Sequence, residues 1–564
     1  MKKLSALCAI LLIAVIASAP ATPAASASDG AADTIYVNGK ILTVDADFSI
    51  AEAVAVKGGR IVETGANDAV KKLAGSGTKT VDLGGKTVMP GMMDTHLHFM
   101  RYGLTTLQIN CMDASKEYIL GEIKSKAGNL GDKNLWIRGR GWNQELWADP
   151  VFPSKEDIDK VVAENPVALV RSDNHALWAN SRALLLAGIT KETKDPEGGV
   201  IHRGPDGEPT GILVDSAMDL INQKIPDWAE SEQEMAYLWA DKVYSSVGLT
   251  TVADAGDDAN IPLIKKLIQD NKINTRIYAV LDKKTADKWF EEGKKPEIGL
   301  FDERMTIRAI KLKADGALGS RGAKLMADYS DKEGVTGNTL ITAKDLLRYS
   351  KKCDELGFQL NIHAIGDKTG RDAVDVIEAS VKSGRNDGNE RRHGIVHAQV
   401  VSMSDLPRFG KLNILALMQP VHATGDMQMA ETRLGPWRIL GAYAWQTLIN
   451  QRALVAGGSD SPNDYIEPLY GIHALVTRQN KDNLPTGGWY PQERISLEDA
   501  IRAYTINAAY AFFAEGEKGS IEKGKLADFV VLTQDIMTVP NEDIHKIEVE
   551  KTIIGDKVVF ERGA

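Results

Sequence analysis

At 564 residues, with 43% hydrophobic and 26% charged residues, the chain is long enough for more than one small domain and has the makeup of a globular protein. Its net charge of −10 argues against nucleic acid or an anionic membrane surface as partner.

Lys2 and Lys3 precede an apolar run from Leu4 to Ala17, and an Ala-, Pro- and Ser-rich stretch follows to Ser28. This order predicts a secretory signal peptide over residues 1–27, with Ala25-Ser-Ala27 as the cleavage site. The apolar run is short for a membrane span, so no stable membrane anchor is expected. The mature chain is read as exported, and periplasmic in a Gram-negative source. Cleavage would leave Cys111 and Cys353, expected as buried, unpaired thiols rather than a disulfide.

From residue 28 to 87 the pattern is short strands and turns. Thr34 to Gly39 reads as a strand ending in an Asn-Gly turn, with Lys40 to Val44 as the returning strand of a hairpin. Residues 516–564 repeat this texture, and neither set could bury two faces alone. Together they are expected to form one small β-sandwich. Between them, residues 88–515 are assigned to a barrel.

Val88 to His98 is an apolar run broken at Pro90-Gly91 that then delivers Asp94, His96 and His98. In an extended segment residues two apart share a face, so both imidazoles point the same way and could bind one metal ion. Residues of about 104–230 are too long for one loop and predict an inserted subdomain that covers the site. After Tyr237, apolar strand-like runs alternate with helical ones. They are Leu249–Ala255, Arg276–Leu281, Thr306–Ala314, Gln359–Ala364, Gly394–Ala398, Ile414–Pro420 and Ala453–Gly457. With the opening strand they number eight, which predicts an α/β fold with a (β/α)8 TIM-like barrel.

The C-terminal ends of these strands carry His96, His98, Lys311, Asp315, His363, His397, His422 and Asp460. Reactive groups of such barrels sit at this end. Five of the ten histidines occupy these positions, which scattered core or surface histidines would not do. His96, His98 and Asp460 could hold one ion, and His363 and His397 a second; a bridging anion would then be required, yet Lys311 stands at the obvious strand end.

His-x-His, a barrel lysine, two further histidines and a terminal Asp resemble the amidohydrolase superfamily. More narrowly, the chain resembles its amidohydrolase-3 branch, which includes N-substituted formamide deformylases. The likeness extends through Gly141-Trp142, Asn174 to Asn180, Lys311 to Ala323, His363 to Asp367, Met418 to His422, Gly458 to Pro462, Tyr504 to Asn507 and Gly524 to Asp528. It implies that Lys311, rather than Lys313, is carboxylated by CO2 and bridges two metals as a carbamate. The implied ligands are His96, His98, Lys311, His363, His397 and Asp460, with one or two Zn2+ ions, or Mn or Fe. The family often has Glu before the sixth-strand histidine. Val396 stands there in this chain, which implies an altered supporting shell.

The expected activity is hydrolysis of a non-peptide, exocyclic C–N amide bond of the N-acyl or N-formyl amine type by metal-activated water. Asp460 would accept the proton and return it to the leaving amine. A cyclic-amide hydrolase or deaminase on the same site is the alternative, and a catalytically silent binding or regulatory protein a third reading. Trp142, His175, Asp315, Arg321 and His422 are candidates for contacting substrate or supporting the ligands. Asp315 and Arg321 are read as an internal ion pair or a substrate clamp, and His393 as a surface residue. The expected partner is a small-molecule amide, and a homodimer is the default assembly.

Overall fold

The computed structural model describes residues 30–563 apart from 113, 145–146, 172–175, 197–198 and 257–259. The expected signal peptide and His175 lie outside the described residues. No helix among them is long and apolar enough to cross a membrane.

Eight parallel strands form the central sheet: β1 (Met92–Leu97), β2 (Leu249–Asp254), β3 (Arg276–Leu281), β4 (Met305–Lys313), β5 (Gln359–Ala364), β6 (Gly394–His397), β7 (Leu415–Met418) and β8 (Leu454–Gly457). They pair in chain order from β1 to β8. The seam between β8 and β1 is bridged by side-chain and loop bonds instead of a strand ladder. Thr95 Oγ1 donates to Gly457 O at 3.0 Å, Asp460 N to His96 O at 2.7 Å and His98 N to Ser461 O at 2.9 Å. Two of these three bonds use the segment that carries the site, so barrel closure and site assembly are one event.

Most of these strands read as continuous buried runs, because a parallel sheet under helices has two covered faces. The helix Ala343–Leu356 ends at Gly357, whose φ of 93° makes it a left-handed C-terminal stop. The following helix spans Asp367–Lys382.

Around the barrel lie three further sheets. A four-stranded one takes Arg60–Gly65, Ala53–Lys57, Ala32–Val37 and Ala74–Asp82, in that order. A six-stranded one joins the two ends of the chain: Thr87–Pro90 runs antiparallel to Phe529–Leu532 and parallel to Lys40–Leu42. The expected hairpin at Asn38-Gly39 does not form. Ala32–Val37 and Lys40–Leu42 belong to different sheets, and Asn38, at φ 57°, carries the chain across. An Asn-Gly turn specifies a sharp reversal but not which strands pair beyond it; Thr87–Pro90 outcompetes the neighbouring strand.

Gly91 hands the chain from this sheet to the barrel. Its N–H donates to Asp528 O at 2.9 Å, and the next, of Met92, donates to Gly248 O at 3.1 Å. A Cβ at Gly91 would lie 2.2 Å from Thr250 Oγ1, so only glycine allows this approach.

The insertion after β1 forms a six-stranded sheet in the order Gly199–Arg203, Pro209–Asp215, Ala176–Ala179, Val167–Arg171, Ile137–Trp142 and Ile109–Asn110. It has its own core, in which Trp142, Trp178, Ile119, Ile123 and Leu169 are buried. Cys111 in this core and Cys353 on a barrel helix are both free and buried.

Candidate metal centre

The two histidines of β1 converge as their spacing requires. His96 Nε2 lies 3.3 Å and His98 Nε2 3.4 Å from Asp460 Oδ1. His422 Nε2 lies 3.7 Å from the other carboxylate oxygen. Lys311 Nζ is 2.9 Å from His96 Nε2, and His397 Nε2 is 3.0 Å from His363 Nδ1. Six strand ends thus deliver their side chains to one cluster. Lys313, two residues beyond Lys311, is exposed.

The backbone is bent to achieve this. Asp460 (φ 58°), His397 (φ 73°) and Ala398 (φ 42°) occupy left-handed conformations that L-residues adopt at a cost of roughly 1–3 kcal/mol each. Neighbouring carboxylates hold the loops in place. Asp94 Oδ1 accepts from His96 N at 2.9 Å and Ser459 N at 3.1 Å, tying β1 to the loop of Asp460. Asp315 accepts from Ile365 N, Gly366 N and Lys324 N at 2.8–3.0 Å. Burial pushes the Asp315 carboxyl up to about 6 despite these donors, and burial likewise pushes Asp94 up to about 7.

Sequence reasoning missed the support of His397. Its Nδ1 lies 2.6 Å from Gln419 Oε1, whose own amide donates to Leu417 O at 3.2 Å. With Gln419 accepting, Nδ1 carries the proton and the Nε2 lone pair faces the cluster. On the other side, Asp315 Oδ1 is 3.4 Å from His363 Nε2, which favours the tautomer with the Nδ1 lone pair inward. The Met418-Gln-Pro-Val-His422 run contained Gln419 in plain view; only its distance to His397 gives it a role.

The donor chemistry fits a cation. Burial, then the Lys311 charge, hold His96 well below the usual imidazole range; burial, then His363, do the same for His397. Burial alone would raise the Asp460 carboxyl, but hydrogen bonding with His96 and His98 holds it well below the usual carboxylate range. Neutral imidazoles beside an ionised carboxylate are the ligating forms. Among the described residues, two sets of ligand atoms lie within 4.8 Å of one another: His96, His98 and Asp460, and His397, His422 and Asp460. The second set contains His422, expected to contact substrate or support the ligands rather than to ligate, and Asp460 belongs to both.

Other expectations are revised. Trp142 is fully buried in the core of the insertion, its Nε1–H donating to Leu169 O at 2.8 Å and its ring edge-on to Trp178. Asp315 and Arg321 form no pair with each other. Arg321 instead makes a bidentate pair with Asp331, at 3.1 and 2.8 Å. His393 is not on the surface: it is fully buried, with Nε2 3.0 Å from Asp354 Oδ1 and Nδ1 accepting from Leu360 N. Val396 packs away from the cluster, in an apolar layer with Tyr278, Leu417 and Phe512.

Residues 79–560 match the amidohydrolase family. The chain belongs to that family. It is 34% identical to Protein LONG AFTER FAR-RED 3 of Arabidopsis thaliana, covering 94% of this chain and 92% of that one. Identity to YtcJ of Bacillus subtilis (strain 168) is 33%, over 94% and 99% of the two chains. Identity to the N-substituted formamide deformylase of Arthrobacter pascens is 27%, over 94% and 98%. Among solved structures, a metal-dependent hydrolase from Pyrococcus horikoshii OT3 superposes with a TM-score of 0.77 at 25% identity, covering 90% of this chain and 99% of that one. This amidohydrolase is a metal-dependent hydrolase of C–N bonds, with a buried His/Asp cluster able to hold the metal.

Proposed function

We propose that this amidohydrolase is an exported zinc enzyme that cleaves the exocyclic C–N bond of an N-acyl or N-formyl amine. The convergence of His96, His98 and His422 on the two oxygens of Asp460 carries the reading. Similarity to a protein named as an N-substituted formamide deformylase supports the substrate class.

His96, His98 and Asp460 would hold one ion, and His363, His397 and Lys311 a second. A zinc ion there supplies polarisation of the amide carbonyl and a lowered pKa for attacking water. Lys311 as an ammonium would repel cations from the centre. Addition of its neutral amine to CO2, with loss of a proton, makes a carbamate anion that offsets the charge of two dications instead. Asp460, kept ionised, accepts a proton from the attacking water on the oxygen facing His422. It returns that proton to the departing amine, which leaves as a neutral molecule. Gln419 and Asp315 keep His397 and His363 in their ligating tautomers. Export rests on the Lys2-Lys3 start, the Leu4–Ala17 run and the Ala25-Ser-Ala27 site.

The test is metal content per chain by plasma mass spectrometry, on mature protein prepared with zinc and bicarbonate, together with product analysis. Near two equivalents, falling in Lys311→Ala, with amine and carboxylate released from N-acyl or N-formyl amines, is the expected result. Release of ammonia, or about one equivalent insensitive to Lys311, would refute it. N-terminal sequencing of the periplasmic protein should begin near Ser28.

A further inference from the structure

At the opposite, N-terminal end of the barrel is a partly enclosed cavity of about 50 Å3. Its walls are the first residues of β2, β3 and β4 and the segment 512–518, which leads from the barrel into the C-terminal strands. That volume takes a few waters or one small oxyanion.

Most charges on this wall are already matched. Arg276 forms a bidentate pair with Asp528, at 2.7 and 3.0 Å, and Glu517 accepts from Arg60 at 2.8 Å. Two cations are not. Lys518 is 6% exposed, yet among the described residues its ammonium has no hydrogen bond and no ion pair within 4 Å. Arg308 lies with its guanidinium 3.4 Å above the Phe513 ring, and its buried Nε has no hydrogen-bond partner. The hydroxyl of Thr251, also on this wall, is buried without a partner. Glu303 is the remaining carboxylate, so the unmatched groups sum to net positive charge.

A buried ammonium without a hydrogen-bonded partner is costly, and an orphaned hydroxyl and guanidinium N–H on the same wall add to that cost. Burial, then Arg276, lower the Lys518 amine to about 8, against the more distant carboxylates Asp528, Glu303 and Glu517, which raise it. Nothing in the metal chemistry at the other end of the barrel uses these groups.

We propose that this cavity is an anion-binding site, in which Lys518, Arg308 and Thr251 hold one small oxyanion of the size of inorganic phosphate. The site ties β2 and β4 to the 512–518 segment, so occupancy stabilises the junction between the barrel and the chain's C-terminal strands. It is separate from the metal centre and takes no part in hydrolysis.

Equilibrium dialysis of the mature, metal-loaded protein against radiolabelled inorganic phosphate, at constant ionic strength in sodium chloride, tests this. One saturable site per chain is expected, with Kd weakened about tenfold or more in Lys518→Met and in Arg308→Met. A rise in Tm with phosphate should be present in wild type and lost in those variants. Should Lys518→Met fail to fold, Arg308→Met and the near-isosteric Thr251→Val carry the comparison. Saturable binding that survives all three substitutions but disappears in Lys311→Ala would place phosphate at the metal centre and overturn the proposal. Absence of saturable binding would overturn it as well.

Discussion

Replacing Gln419 with Leu changes little volume in a buried position but removes the acceptor 2.6 Å from His397 Nδ1. The imidazole then either leaves that N–H unsatisfied or shifts its proton to Nε2, the atom facing the cluster. The first outcome forfeits a hydrogen bond and strands a buried donor, together about 2 kcal/mol. The second blocks ligation by His397 until the tautomer is restored, at similar cost. About 2 kcal/mol is roughly a 30-fold change in an equilibrium constant, inside the 10–100-fold range typical of partners that orient metal-ligating histidines. Metal retention against a graded chelator series, read by plasma mass spectrometry beside kcat/KM, measures it. Gln419→Glu keeps an acceptor in place and should retain most of the metal. Retention and kcat/KM within twofold of wild type in Gln419→Leu would mean that His397 is not a ligand, or that its tautomer is set elsewhere.

Three further outcomes are expected. Asp460→Asn should keep at least one metal equivalent through the histidines but lose turnover by about 10²–10⁴-fold, since the amide cannot accept the proton; rates near wild type would remove Asp460 from the chemistry. Asp528→Asn strands Arg276, which is 4% exposed, and should cost about 3–5 kcal/mol in urea unfolding. Burial opposes ionisation of Asp528 but Arg276 wins and lowers its carboxyl, so the pair's stabilisation is present above the ordinary carboxylate value of 3.8 and lost as pH falls through the lower folded value. The variant's acid limb should be shallower there, and an unchanged limb would discount the pair. His473 acts in a higher window: burial lowers it from 6.5 to about 4, so the unfolded chain binds the extra proton and stability falls as pH drops from 6.5 toward 4. His473→Gln, which can still hydrogen-bond Asn483, should flatten Tm against pH in that interval, and an unaltered slope would show that His473 is not responsible.

Legibility differed by kind of feature. The barrel strands were recoverable because parallel strands covered on both faces must be apolar throughout, and their ends fell within a residue or two of the structure. His96 and His98 were recoverable because side-chain parity along a strand is fixed by covalent geometry. Trp142, Arg321 and His393 were not. Each has a side chain suited to either a site or a core, and the deciding partners (Leu169, Asp331 and Asp354) stand 27, 10 and 39 residues away in the chain.

The sequence by itself determined the barrel strands and the parity of the His-x-His pair, because backbone periodicity and two-sided burial are local properties. Only the tertiary structure decided that Asn38-Gly39 crosses between sheets, that His422 joins Asp460, that Gln419 orients His397, and that Lys518 lines a cavity without a hydrogen-bonded or ion-paired partner among the described residues. Those outcomes depend on which distant segments come within 3–4 Å, and such distances are set by strand pairing and packing across the whole chain.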